Sequence, residues 1–396
     1  ALGHPIEIIA GREEARLVFA GCAHTLPPSP EKRLVVDIGG ASTELIIGSG
    51  TEAHCCESFH VGCVNTSVTF FKDGKLTARA FKSAQLAAQA ELEEAAQEFG
   101  ARNWDAAYGS AGTIGAVAEI GQSLGLTNCI VTPALLKYLR EMLIGFGDIR
   151  RIKIAGLKDD RREVIAGGVA VLSAVFETFG IKEMRPAAGA LRVGLLYNIL
   201  GRRDQHDTRD TTVAAVLKRT HVDRLQAARV AGLADKFFIE LSNGAPETES
   251  RKILQWASSL HETGKMISPS GYHKHSSYIL KNLDLAGFSR EDQTTMATVV
   301  LAQRGNLKKV EEALTDAKLT RMIAAIRLAV IFAHARRTVR LPQWRLSMAN
   351  RTICLTVDKA WFARHPLTEY LLTEEEGVWE RAGFRFALEK QDFRNA

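Results

Sequence analysis

Residues 33–48 read RLVVDIGGASTELIIG. Apart from Arg33 and Asp37, Arg33–Ile38 is a near-continuous apolar run, as expected of a strand covered on both faces. Gly39 and Gly40 then make a tight turn, Thr43–Gly48 reads as the returning strand, and residues 52–61 read as a third. An aspartate at the end of a buried strand, followed by two glycines, suits an anion, because glycine lets backbone N–H groups approach closely. Ala41 lies in the same turn, and Ser42 and Thr43 add hydroxyl donors. Asp37 could hold a divalent cation or a water, and Glu44 could reach the same ion. The same spacing also fits a plain hairpin with a solvent-facing acid.

Working outward, Gly109–Thr113 (GSAGT) repeats this chemistry after a short strand at 104–108. Flexible glycines and hydroxyls lead into a helix N-terminus, which favours an anion; an ordinary helix cap is the alternative. Two such turns in one domain make a shared phosphate cleft a stronger reading than either turn alone. Upstream, Pro5–Ala10 (PIEIIA) reads as a strand and Gly11–Arg16 (GREEAR) as the start of a helix. Glu13 and Glu14 either favour that helix's dipole or, near a phosphate cleft, one of them deprotonates a water. Arg150, Arg151, Lys153, Lys158, Arg161 and Arg162 form a basic run that suits a polyanion or simply faces solvent.

At 396 residues, and about 100–200 per domain, the chain predicts two or three domains. The net charge of +6 is too small to indicate a nucleic-acid binder, and DNA is not expected as a partner. Six cysteines without a CxxC pair read as reduced thiols; Cys55 and Cys56 sit in a strand, pointing to opposite faces. A metal site of Cys55, Cys56 and Cys63 is the sharper alternative. The longest apolar runs, 164–176 and 323–335, are too short or too charged to cross a membrane. From about 204 to 336 the periodicity is almost wholly helical; from 337 strands return at 351–357 and 382–389.

Taken together, PIEIIAGREEARLVFAG, RLVVDIGGASTELIIG, FHVGCV, YGSAGT and YHKHSSYIL resemble the exopolyphosphatase/guanosine pentaphosphate phosphatase family. That resemblance implies an α/β plus all-α protein: a ribonuclease-H-like (actin-like) lobe, an HD-like helical domain and a small α/β C-terminal domain. It places the end of a first lobe at 1–16, the second lobe at 17–203, the helical domain at 204–336 and the tail domain at 337–396. The family's aspartate-glycine-serine-asparagine turn is missing, so most of the first lobe is expected to be absent and the isolated chain to be weak or inactive.

By motif, the resemblance implies that Glu14 is the base that activates water. Asp37 and Glu44 are the acids around Mg²⁺. Gly39, Gly40, Ala41 and Ser42, with Ser110, Ala111, Gly112 and Thr113, bind phosphate. GSAGT moves the expected serine by one position, and Val193 stands for the usual acid in Gly189–Gly194. Arg150, Arg151, Lys153, Arg161, Arg162, His273, Lys274 and His275 are candidate polyanion contacts. An HD metal site needs a His–Asp pair; here it is His261–Glu262, so structural histidines or a polyanion surface are expected instead. The implied activity is release of orthophosphate from inorganic polyphosphate, with guanosine pentaphosphate 5′-phosphatase as the alternative and a non-catalytic polyanion-binding or dimerisation fragment as a further one. Mg²⁺ is the implied cofactor, with K⁺ as a second candidate. A homodimer is implied, in the cytoplasm or peripheral to the inner membrane.

Overall fold

The computed structural model describes residues 6–203, 207–337 and 340–393. They divide into a unit of Ile9–Asp207 and a second unit running from Thr208 onward, which Ile6–Ile8 join.

The first unit begins with α1 (Gly11–Thr25), followed by β1 (Arg33–Ile38), β2 (Thr43–Ser49), β3 (Glu52–Phe59), α2 (Cys63–Phe70), α3 (Ala78–Leu92), β4 (Ala106–Ser110), α4 (Ala111–Ser123), α5 (Pro133–Phe146), α6 (Ile165–Phe179), the two-residue β5 (Arg185–Pro186) and α7 (Leu191–Arg203). The strands form one sheet in the order β3-β2-β1-β4-β5. β1, β2 and β3 are antiparallel, while β4 and β5 run parallel to β1. This mixed sheet is the ribonuclease-H-like lobe. Helix signals are local: Thr77 and Thr132 cap α3 and α5 through their hydroxyls, and α5 and α6 end on left-handed Gly147 and Gly180.

The pleat sorts the sheet's residues. Leu34, Val36, Ile38, Leu45 and Ile47 share a core with α2 to α6. Val35, Ile46 and Tyr108 face the other way, onto Ala15, Val18, Phe19 and Cys22 of α1. Covering both faces explains why every residue of β1 is buried. Cys55 and Cys56 pack on opposite faces of β3 and all six cysteines are free thiols, so the cysteine metal site is not formed. α7 crosses α1 at close range: a Cβ on Gly189 would lie 1.9 Å from Gly21 O, and one on Gly194 1.8 Å from Leu17 O.

The second unit contains α8 (Thr208–Arg219), α9 (Arg224–Leu241), α10 (Thr248–Ser259), α11 (Tyr272–Asn282), α12 (Arg290–Ala302), α13 (Ala317–Phe332), β6 (Trp344–Ala349), β7 (Thr352–Asp358), α14 (Lys359–Phe362), α15 (Pro366–Glu380) and β8 (Arg385–Gln391). β6 pairs antiparallel and β8 parallel with β7.

Three expectations change. Ile6–Ala10 forms no strand: Ile6 and Ile8 are exposed, and the Ile8 carbonyl instead accepts the Arg290 N–H. The dividing line falls near residue 8 rather than 16, because α1 is continuous through Arg16 and packs on the sheet. Residues from 340 onward are not a body of their own. Leu346, Ile353, Trp361, Trp379 and Phe386 share one core with Phe237 and Phe332. Phe237 meets Trp344 at 5.4 Å and Phe332 meets Trp361 at 5.8 Å. Aromatic burial of roughly 150–250 Å² each is about 4–6 kcal/mol of gross driving force per ring. That is enough to fuse a three-stranded sheet to a helix bundle.

Candidate active site

Register and pleat determine which side chains meet at the end of β1. Asp37 has the parity of Val35, and Glu44 that of Ile46, so both point to the α1 face. Asp37 pairs directly with Glu44 on β2 and with Ser110 on β4, and Glu44 pairs with Ser58 on β3. α1 brings Glu14 to the same face. Its neighbour Glu13 is spent: Arg16 donates to it twice, at 2.7 and 2.8 Å, and also to Asn198 at 3.0 Å. Adjacent residues on a helix point about 100° apart, which leaves Glu14 toward the two strand acids.

Asp37 and Glu44 are buried, and among the described residues neither makes a salt bridge. Burial, then repulsion from Glu14, pushes Asp37 up to about 6, an effect that the neighbouring Ser110 hydroxyl opposes. Burial pushes Glu44 up to about 7; the Ser42 and Ser58 hydroxyls oppose this, and Glu14 and Asp37 add to it. Ser58 Oγ donates to Glu44 Oε1 at 2.8 Å. Like charges directly opposite across an antiparallel pair destabilise it.

The glycine turn is less free than its sequence implies. Gly39 N–H donates to Ser42 O at 2.9 Å, so Gly39 is not available as an anion donor. The carbonyls of Gly39 and Gly40 accept the first amides of α2, from Cys63, Val64 and Asn65. Gly62 permits this approach, since a Cβ there would sit 2.4 Å from Gly40 O. Among the described residues, the amides of Gly40, Ala41 and Ser42 donate to no protein acceptor.

The second turn also differs. Ser110 is the last residue of β4 and fully buried; its hydroxyl donates to Gly189 O at 3.2 Å, so it braces the Asp37 side of the site rather than facing a ligand. Ala111 is exposed with φ +65°, a left-handed backbone that strains a residue with a Cβ. Gly112 lies under Arg161, whose guanidinium would be 2.4 Å from an added Cβ. Thr113 is buried, its methyl against Gly168. Residues 111–113 begin α4 with no side-chain cap, so their amides point out of the helix end.

Of the basic run, Arg161 is the member whose guanidinium lies on a glycine turn. Arg150 is held by Asp148 and Arg162 by Asp159, while Arg151 and Lys153 face solvent. In the helical unit, His261 is buried and its Nδ1 lies 2.6 Å from Ser258 O. Its Nε2 is 3.8 Å from Glu262, yet burial holds the imidazole down at about 4, so the contact is between a neutral ring and a carboxylate. Glu262 is taken by Lys265 and by Arg336 at 2.7 Å. Burial raises Glu262, but these cations outweigh it and hold it below the usual range. Among the described residues no group of three or more His, Cys, Asp or Glu is arranged to hold a metal ion. His273 is half-buried and held down at about 4 by burial and by Lys309, Arg304 and Lys274; Lys274 is exposed and His275 half-buried.

Sequence reasoning missed Ser58 and Gly62. Ser58 becomes visible only when β2 and β3 are paired in register. Gly62 lies in FHVGCV, a motif whose glycine has a role only once α2 is seated on the turn.

A mixed sheet of this order, with two turns and an acidic cluster at one end of β1, describes an actin-like lobe. Family comparison narrows the class: the Ppx/GppA phosphatase family profile matches residues 1–203, and Ppx/GppA phosphatase domain III matches residues 208–376. The chain belongs to the Ppx/GppA phosphatase family. It is 34% identical over 392 residues to a guanosine-5′-triphosphate,3′-diphosphate pyrophosphatase of Pseudoalteromonas translucida (strain TAC 125), covering 98% of this chain and 78% of that one. It is 35% identical over 394 residues to the protein of the same name from Vibrio vulnificus (strain YJ016), covering 98% and 79%. Among solved structures, an Aquifex aeolicus Ppx/GppA phosphatase aligns at 24% identity and TM-score 0.41, covering 48% of this chain and 63% of that one. An exopolyphosphatase from Cytophaga hutchinsonii aligns at 21% and 0.43, covering 49% and 65%. The chain thus spans less than two thirds of either solved chain. No helix among the described residues is long and apolar enough to cross a membrane.

Proposed function

We propose that the protein hydrolyses the terminal phosphoanhydride bond of a phosphate-rich anion, releasing orthophosphate. The observation that carries this is the convergence of Glu14, Asp37 and Glu44 beside the open amides of residues 40–42, with Arg161 lying over Gly112 in the second turn. Glu14 accepts a proton from a water, the water oxygen forms a bond to the terminal phosphorus, and the bridging P–O bond breaks toward the rest of the substrate. The amides and Arg161 take the charge that develops on the phosphoryl oxygens.

Asp37 and Glu44 are the residues that would hold Mg²⁺, whose chemistry is charge neutralisation on the phosphates. Two buried carboxylates without a cation fit an ion that uses one or two carboxylates and keeps waters and substrate oxygens for the rest.

Guanosine pentaphosphate is the substrate favoured by the two relatives quoted above, both named for that chemistry. Inorganic polyphosphate is the second reading. It is favoured by the mutual proximity of His273, Lys274, Arg304 and Lys309, where burial and neighbouring cations pull Lys309 down to about 8. Phosphate release with the two substrates in direct competition, on the full-length protein, decides between them. Preference for guanosine pentaphosphate by tenfold or more in kcat/KM is expected. The reverse preference makes polyphosphate the substrate, and release from neither sinks the proposal.

A further inference from the structure

A cavity of about 250 Å³ opens between α9 and the end of α13, wholly within the helical unit. Its floor is apolar: Leu233, Phe332 and Ala333 are all buried. Its rim is cationic: Arg229, Lys236 and Arg337, with no acid among the described lining residues. Arg229 reaches Gln226 at 3.4 Å, and among the described residues none of the three makes a salt bridge. Nearby acids are committed elsewhere. Asp235 accepts from Arg251, and Glu240 accepts from Trp344 Nε1 and the Leu346 amide.

Gly232 supplies a second, independent observation. It sits in the middle of α9, where glycine is destabilising relative to alanine. A Cβ built there meets nothing within 4 Å, so no packing contact demands a glycine. What the missing side chain leaves open is the cavity, which Gly232 lines.

Three uncompensated cations around an apolar floor call for an anion on an apolar body. A nucleobase fits poorly: its ring edges need partners when desolvated, and apart from the cationic side chains the described lining residues carry no polar side chain. At about 250 Å³ the cavity is far larger than the roughly 10–15 Å³ that holds one water, so it has room for a small organic body. We infer that this cavity binds a medium-chain aliphatic carboxylate, its chain on Leu233 and Phe332 and its carboxylate on Arg229, Lys236 and Arg337. The site is separate from the carboxylate cluster and independent of the reaction proposed there.

Titration calorimetry of the full chain with sodium octanoate, below its micellar range, tests this. Saturable binding is expected, at least tenfold tighter than for 1-octanol, and weakening as salt screens the rim. Gly232→Leu fills the cavity and should weaken binding at least tenfold, with helicity and thermal midpoint checked in parallel. Gly232→Ala should leave the helix at least as stable as in the parent. Should Gly232→Leu not fold, the Arg229→Gln, Lys236→Gln, Arg337→Gln combination carries the test, with the same tenfold loss expected. Absence of saturable binding, equal affinity for octanol, undiminished binding in the filled or neutralised variants, or binding only to anionic phospholipid vesicles would each overturn the inference.

Discussion

In the sheet unit, Asp37 and Glu44 are buried beside Glu14, and among the described residues no cation pairs with either. In the helical unit, Glu262 and Glu375 are just as buried, but each has a cation. Lys265 and Arg336 hold Glu262, and Arg327 donates to both oxygens of Glu375 at 2.6 and 2.7 Å. The difference separates structural charge from functional charge. A paired acid is settled by its own fold, whereas an unpaired buried one stays strained until something outside the chain neutralises it. On this reading the sheet unit is incomplete without ligand. In the helical unit Lys265 and Arg336 already occupy Glu262, the acid beside His261.

The largest expected effect tests the paired side. Arg327→Met strands Glu375 and should lower the stability of the helical unit by about 3–5 kcal/mol in denaturant unfolding, whereas adding Glu375→Leu should recover most of the loss. If the single change costs nothing, the pair is not holding the core.

Next, the unpaired side should behave in the opposite sense. Asp37 and Glu44 have folded-state values of about 6 and 7, above the ordinary carboxylate range, so the folded state holds more protons than the unfolded one between about pH 4 and 7. Their contribution therefore becomes more unfavourable as pH rises through that window, by at most about 3 kcal/mol each. Asp37→Asn should be more stable than the parent above pH 7 and lose that advantage below about pH 4, while phosphate release falls. Mg²⁺ should shrink the advantage, since it binds the folded parent. A stability difference that does not vary with pH would break the comparison.

The smallest effect concerns Glu262. Because solvent reaches Lys265 and Arg336, Glu262→Gln should cost only about 1 kcal/mol. It should leave metal content and metal-dependent activity unchanged. Loss of a bound metal in this variant would restore the HD-metal reading.

Much of this was legible in the sequence. The near-continuous apolar run of β1, its glycine turn and the helical periodicity after residue 208 are local patterns, and the described structure contains each of those elements. What was not legible depends on long-range register. Nothing local says that Gly39 donates to Ser42, that Ser110 turns inward to Gly189, or that Ser58 lies beside Glu44. The resemblance singled out Glu14 over Glu13, but the physical reason, that Arg16 occupies Glu13, came only with the structure. The fate of residues 340–393 depended on aromatic contacts with α9 and α13, more than a hundred residues upstream in the case of Phe237 and Trp344. The strand expected at PIEIIA failed for the same reason: periodicity proposes a strand, but only a neighbouring strand makes one.

The claim at the centre is that Glu14, set against two uncompensated acids, acts on water and not on folding. Glu14→Gln in the full-length protein measures it, through phosphate release in a single turnover alongside substrate affinity. Removing a general base costs about 10²–10⁴-fold, so a loss of about a thousandfold in rate with affinity kept within threefold is predicted. A variant that hydrolyses at the parent rate, or that loses binding as fully as turnover, would contradict it.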